Sequence, residues 1–294
     1  MKLTSLSASR IKTWQRCKFQ YFLQYVIRAD LGTNWGARHG TAIHSVLEEY
    51  ARGSRNWEKE LLKEYLHIDE KIGTTILGHA KKVDYGDIKQ KCASCPLYED
   101  GFCGLEGCPV AGLDGCGRLL WGRSKRLLEK YLDEHASIYD RPILGIEEHF
   151  KLSIDHRNVI GIIDFIYEMQ DGTIHMIDYK TSKKWEPSQN YKAMKKDIQA
   201  KLYAWAMSEM FPDKNCMLTF FFFMNRPITL WYNKAEIESI RAELSGIWDE
   251  IVAFEERYAN RIIDSGYGRI PNECKYLCDM GVCEKEWKKF KNGN

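Results

Sequence analysis

Apolar residues in the first part of the chain recur at helical spacing. Ile11, Trp14, Phe19, Phe22, Leu23 and Val26 predict a helix over residues 7–28, with Ser7 or Ser9 as its N-cap. A glycine-bearing turn over Gly32–Gly40 and a second helix through Ile43, His44, Val46, Leu47 and Tyr50 follow, so the N-terminal quarter reads as all-helical. Residues 57–83 predict one or two further amphipathic helices. Residues 92–117 lose periodicity and become rich in Gly and Cys, which marks a stapled insertion before a helix over 118–139. Beyond Pro142 the period changes to that of strands: Ile143–Ile154, Val159–Tyr167 and Thr173–Tyr179, with Asp171-Gly172 as the turn joining the last two. A helix over Tyr191–Met210, strands over Met217–Met224 and Ile228–Tyr232, and a long helix over 234–262 complete the pattern. That order predicts an α/β core with a mixed central sheet flanked by helices. The chain then divides into an N-terminal helical part (1–54), a helical and Cys-rich insertion (55–140), the core (141–270) and a C-terminal cysteine segment (271–294).

Composition narrows the class. The 294 residues are 44% hydrophobic and 13% aromatic, which excludes low-complexity disorder. The most apolar run, Leu218–Met224, is far shorter than the roughly 20 residues a bilayer requires, and no apolar leader follows Met1. The expectation is a cytoplasmic protein with no membrane partner. In that compartment ten cysteines point to metal binding rather than disulfides. A net charge of +2 excludes a globally basic coat, so contact with nucleic acid must come from a local patch.

The candidate chemistry lies in the strands. Asp164 ends the apolar run Gly161-Ile162-Ile163, and Asp178 follows Met176-Ile177. A carboxylate in an apolar strand is costly unless a partner or cation neutralises it. The hairpin puts the two acids on neighbouring strands, and a hard cation such as Mg²⁺ takes one or two carboxylates while leaving sites for water and phosphate. Lys180 lies two residues past Asp178, so both side chains fall on one strand face, where the ammonium can offset transition-state charge. A further acid is available one strand earlier, Glu147 or Glu148, with Glu147 the favoured one.

Taken together these runs resemble the PD-(D/E)XK nuclease superfamily, in its RecB-type branch of helicase-nuclease domains and CRISPR-associated RecB-like exonucleases. Ser9-Arg10-Ile11 with Cys17, Gly40-Thr41-Ala42-Ile43-His44, Asp178-Tyr179-Lys180-Thr181 and Gln199-Ala200-Lys201-Leu202-Tyr203 resemble its motifs in order. The resemblance implies a restriction-endonuclease-like core in which His44, Asp164, Asp178 and the Tyr179 carbonyl hold Mg²⁺ or Mn²⁺. Lys180 would be the catalytic lysine, and Gln199 and Tyr203 would help hold the strand. The activity implied is metal-dependent exonucleolytic hydrolysis of DNA ends or single strands, with recombination, helicase or CRISPR-adaptation partners. A non-cleaving nucleic-acid-binding accessory module is the alternative, and an enzyme of another phosphate ester a weaker third.

Cys274, Cys278 and Cys283 supply three thiolates where a closed site needs four. The resemblance implies Cys17 as the fourth ligand of a [4Fe-4S] cluster; the C-x3-C spacing departs from the usual C-x2-C and keeps zinc open. Cys92, Cys95, Cys103, Cys108 and Cys116 are expected to offer a structural Zn²⁺ site in the insertion, and Cys216 to lie in the core. Lys183, Lys184, Lys192, Lys195 and Lys196, interleaved with Trp185 and Tyr191, form the candidate nucleic-acid patch, lysines for phosphates and rings for unpaired bases.

Overall fold

The structure, a computed structural model, describes residues 3–26, 28, 35–61, 64, 117–181 and 190–259. The insertion cysteines, the C-terminal cysteines and residues 183–185 lie outside the described residues.

The central sheet is mixed, as the pattern predicts. β1 (Ser5–Leu6), β2 (Ile143–Ile154), β3 (Arg157–Glu168), β4 (Ile174–Lys180), β5 (Cys216–Phe222) and β6 (Ile228–Leu230) form one sheet. β2 runs antiparallel along one edge of β3. The other edge is shared by β1, parallel at its start, and β4, antiparallel at its end. β4 then pairs in parallel with β5, and β5 antiparallel with β6. β4 is the centre: Ile174, Met176, Ile177, Asp178 and Tyr179 are all buried, which gives the near-continuous apolar run of a strand covered on both faces.

Helices supply that cover. On one face, α3 (Trp35–Ala51) and α4 (Gly117–His135) pack Ile43, Val46, Leu47 and Leu128 against Phe165 and Ile177. On the other, α6 (Ile198–Met210) sets Ala200, Tyr203, Ala206 and Met207 against Phe150, Ile163, Met176 and Phe220. The outer side of α6, through Ile198, Leu202 and Trp205, packs on α1 (Ala8–Arg16) and α7 (Lys234–Ala259). Buried on both sides, α6 lacks the polar stripe of a surface helix. No helix among the described residues is long and apolar enough to cross a membrane.

Several local expectations are corrected. The N-terminal quarter is not all-helical, because Ser5–Leu6 joins the sheet opposite Asn158 and Val159. The helix over 7–28 is broken at Cys17, whose extended backbone (φ −155°) ends α1 and begins α2 (Lys18–Tyr21), followed by a π-helical turn over Phe22–Val26. The turn expected up to Gly40 is already helical from Trp35. The helix expected over Tyr191–Met210 splits into α5 (Tyr191–Met194) and α6, because Asp197 is extended and its Oδ1 caps the Gln199 and Ala200 amides. Cys216 is half-buried at a rim of the core rather than inside it.

Two features of the sheet make testable demands. A Cβ at Gly161 would lie 2.3 Å from Phe150 Cζ, so the ring approaches that backbone this closely only because position 161 has no side chain. Gly161→Ala is expected to destabilise the fold by about 1–3 kcal/mol in urea unfolding, with partial recovery when Phe150→Leu is added. His175 is clamped between Tyr167 Oη (2.6 Å) and Thr219 Oγ1 (2.7 Å), and burial pushes its pKa down from 6.5 to about 4. The folded state therefore refuses a proton that the unfolded chain accepts. This contribution to stability is complete above the unfolded value of 6.5 and is lost as pH falls towards 4. Unfolding midpoints should show a loss of up to about 3 kcal/mol across that window, smaller in His175→Gln.

Candidate active site

The site is built around three consecutive residues at the end of β4. Asp178 is 1% exposed; burial pushes its pKa up, while the Lys180 ammonium, 2.5 Å from Oδ2, opposes the shift. Oδ1 accepts a hydrogen bond from Gln199 Nε2 at 2.9 Å. Oδ2 has Lys180 close as an ion pair but no donor aligned on it, so one buried carboxylate oxygen lacks a proper hydrogen bond. Burial works against the Lys180 cation, yet the Asp178 carboxylate outweighs it and raises the lysine pKa, keeping it protonated.

Strand alternation sends the Tyr179 side chain the opposite way, into a buried cluster of hydroxyls. Tyr179 Oη is 2.9 Å from both Tyr131 Oη of α4 and Tyr139 Oη of the 3₁₀ turn that follows it. The Tyr179 backbone faces the site. Its N–H donates to Asp164 Oδ2 at 2.7 Å, and its carbonyl is 2.9 Å from His44 Nε2. The β3–β4 ladder stops one step earlier, at Phe165 opposite Ile177, so the Asp164 carboxylate takes over an amide that a strand carbonyl would otherwise satisfy.

Asp164 sits where the β2–β3 hairpin changes the face it presents. Phe150 and Ile163 pack towards α6, whereas Ile146 and Phe165 pack towards α3 and α4. The residue opposite Asp164 in that register is Glu147, and it has φ of +47°. Left-handed backbone is unfavourable for a glutamate and is held only where the surroundings demand it. The twist turns the Glu147 carboxylate towards His44 on α3. His44 Nδ1 lies 3.5 Å from Asp164 Oδ2 and 4.0 Å from Glu147 Oε1. α3 comes this close to β4 because Gly40 is its contact residue; a Cβ there would meet Thr181 Oγ1 at 3.1 Å.

One ligand atom from each of His44, Glu147 and Asp164 falls within 4.8 Å of the other two. With His44 Nε2 donating to the Tyr179 carbonyl, the Nδ1 lone pair faces two carboxylates. Three lone-pair donors converging in this way require a proton or a cation between them. Electrostatics agrees: burial, then the Asp164 charge, pushes the Glu147 carboxyl up to about 7, and the Asp164 and Asp178 carboxylates raise His44 against its own desolvation. The set fits a divalent cation on its donor chemistry, two carboxylates and an imidazole, and on the unaligned oxygen of Asp178 beside it.

Of the expected residues, the structure thus brings His44, Glu147 and Asp164 together, and sets Asp178, Lys180, Gln199 and Tyr203 as a second group linked through Tyr179. Gln199 and Tyr203 point inwards: the amide also donates to Tyr203 Oη (2.8 Å), which donates to the Ile162 carbonyl (2.8 Å). Of the lysine patch, Lys192 and Lys196 are exposed and Tyr191 is 53% exposed. Lys195 is paired with Glu236 (3.1 Å) and covers the Tyr232 ring, and Lys201 is paired with Glu243. Cys17 is half-buried and not in a disulfide; its Sγ accepts from the Gln20 amide. Lys12 and the Tyr131–Tyr139 pair carry no sequence signal, because their roles arise from contacts across long stretches of chain that no local pattern announces.

An ATP-dependent helicase/deoxyribonuclease component from Streptococcus uberis is 29% identical over 185 residues, which is 60% of this chain and 14% of that protein. The chain therefore spans a small part of that relative's length. Among solved structures, a protein of Eubacterium rectale provisionally described as an exonuclease aligns over 96% of this chain and 88% of its own, with a TM-score of 0.49 and 12% identity. SSO0001 aligns over 60% and 70%, with a TM-score of 0.31 and 17% identity. The model of the PD-(D/E)XK nuclease superfamily matches residues 5–283, and the chain belongs to that superfamily.

Proposed function

We propose that this protein is a divalent-metal-dependent deoxyribonuclease. The observation that carries the reading is the convergence of His44, Glu147 and Asp164 beside the buried Asp178–Lys180 pair. Membership of a nuclease superfamily supports phosphodiester hydrolysis. The Streptococcus uberis relative, part of a helicase/deoxyribonuclease, supports DNA as the substrate and a helicase as a partner. Exonucleolytic action on ends or single strands follows from the RecB-type resemblance.

His44, Glu147 and Asp164 are the residues that would hold Mg²⁺ or Mn²⁺, with Asp178 and the Tyr179 carbonyl next to them. The cation, when bound, supplies Lewis acidity and a water of lowered pKa. The chain's own residues do the rest. Lys180 sets a fixed positive charge where negative charge grows on the phosphate as a water oxygen bonds to phosphorus and the bond to the leaving sugar oxygen breaks. Asp178 keeps that ammonium in place, and Gln199 keeps the Asp178 carboxylate in plane. Exposed Lys192 and Lys196 beside Tyr191 suit a single strand approaching along α5, through phosphate contacts and stacking.

For the chain-end cysteines we propose a [4Fe-4S] cluster held by Cys17, Cys274, Cys278 and Cys283, and for the insertion cysteines a Zn²⁺ staple. The cluster rests on the RecB-type resemblance, and the zinc staple on residue type and spacing.

An end-labelled time course on single- and double-stranded DNA with Mg²⁺ or Mn²⁺ tests the activity. Asp164→Asn and Lys180→Met should each lower the rate by at least about a hundredfold with an unchanged circular dichroism spectrum; wild-type rates in either variant would remove those residues from the chemistry. Purified without oxygen, the protein should be brown and Cys17→Ser colourless. A colourless wild-type protein containing only zinc would reject the cluster.

A further inference from the structure

The hydrogen bonds of Gln199 start from a residue with no assigned role. Lys12, on α1, is 187 positions away in sequence, yet its Nζ lies 3.2 Å from Gln199 Oε1 and 3.0 Å from Asp197 Oδ2. Asp197 is the N-cap of α6 and uses its other oxygen on the Gln199 and Ala200 amides. Lys12 therefore ties α1 to the first turn of α6 at the point where Gln199 leaves the helix.

An amide side chain can sit either way round, and its neighbours decide which. With Oε1 on Lys12, Nε2 has both hydrogens free for the site side, where it donates to Asp178 Oδ1 and to Tyr203 Oη. Reversed, the NH₂ group would meet an ammonium and the carbonyl would meet a carboxylate, two like-to-like contacts in a part-buried place. The arrangement forms a directed chain: Lys12 donates to Gln199, Gln199 donates to Asp178 and Tyr203, and Tyr203 donates to the Ile162 carbonyl two residues before Asp164. Both acidic strands are thus reached from one lysine outside the sheet.

We infer that Lys12 is a positioning residue of the active site, fixing the Gln199 amide and, through it, the plane of the Asp178 carboxylate. The inference deepens the nuclease reading and rests on it for its kinetic consequence. Its structural part stands independently. The competing role is a direct phosphate contact, since the Lys12 side chain is 40% exposed.

A double-mutant cycle with Lys12→Met and Gln199→Ala separates the two, because a lysine acting through the glutamine has nothing to act on once the amide is gone. Lys12→Met, which keeps the apolar stem, should lower the cleavage rate at saturating DNA by about tenfold, as loss of a supporting partner commonly does. In the Gln199→Ala background the same change should cost less than about twofold. Lys12→Arg should restore most of the rate. DNA affinity in EDTA and its salt slope should be unchanged. Equal losses in both backgrounds, or a loss seen only in affinity and salt slope, would overturn the inference in favour of a phosphate contact. A readout without substrate or metal keeps the test apart from the nuclease reading: the ¹H–¹⁵N signal of the Gln199 side-chain amide should shift and exchange faster in Lys12→Met and stay in place in Lys12→Arg. An unaltered signal in Lys12→Met would refute the positioning role even in an active enzyme. An inactive wild type with a shifted signal would refute only the nuclease reading.

Discussion

The hydrogen bond from the Tyr179 amide to the Asp164 carboxylate is the contact on which the centre of this protein depends. A strand carbonyl in that place would continue the β3–β4 ladder and seal the sheet. A carboxylate closes the amide's bonding requirement while leaving its second oxygen and its charge free, so the sheet opens by one step without an unsatisfied buried donor. The cost of the charge is shared. His44 comes in from α3, its Nδ1 facing Asp164 and its Nε2 bonded to the Tyr179 carbonyl, and Asp164 and Tyr179 thereby become two sides of one small pocket. Glu147, bent into left-handed backbone opposite Asp164, completes it. The tyrosine hydroxyl cluster then has a clear purpose: it pins the far end of Tyr179, so the backbone that carries two of these contacts cannot rotate away.

The remaining architecture serves that opening. Gly161 lets Phe150 cross β3 so that the hairpin can change face just before Asp164, and Gly40 lets α3 approach closely enough for its histidine to reach. On the other side of β4, α6 is buried on both faces and so has little freedom to shift, which suits a helix whose first turn holds Asp178 through Gln199. Charge follows the same economy. Among the described lysines of the patch, Lys195 is tied to Glu236 of α7, whereas Lys192 on α5 and Lys196 just after it are exposed.

Much of this was legible in the chain. Strand alternation placed Asp178 and Lys180 on one face, the Asp171-Gly172 turn put Asp164 next to them, and an apolar context around each acid marked them as constrained. The strands of the mixed sheet and the helix after β4 were visible for the same reason, since their periods differ. What stayed hidden was set by tertiary contacts. The two-residue strand at Ser5 has no period of its own and exists through β3; Cys17 breaks a helix whose apolar spacing continues through it; Asp197 interrupts another because its side chain caps the next turn. Glu147 was favoured over its neighbour Glu148, but the backbone angle that turns it towards the site has no sequence signal. Lys12 gave no signal at all, being one of three basic residues on an amphipathic helix.

The pocket between α3, β2 and β3 is proposed to hold a divalent cation. Anomalous difference density from a crystal soaked in Mn²⁺ tests it most directly. A strong peak bonded by His44 Nδ1, Glu147 and Asp164 is expected. No peak there at Mn²⁺ concentrations that support DNA cleavage, or a peak held by other residues away from Asp164, would contradict it.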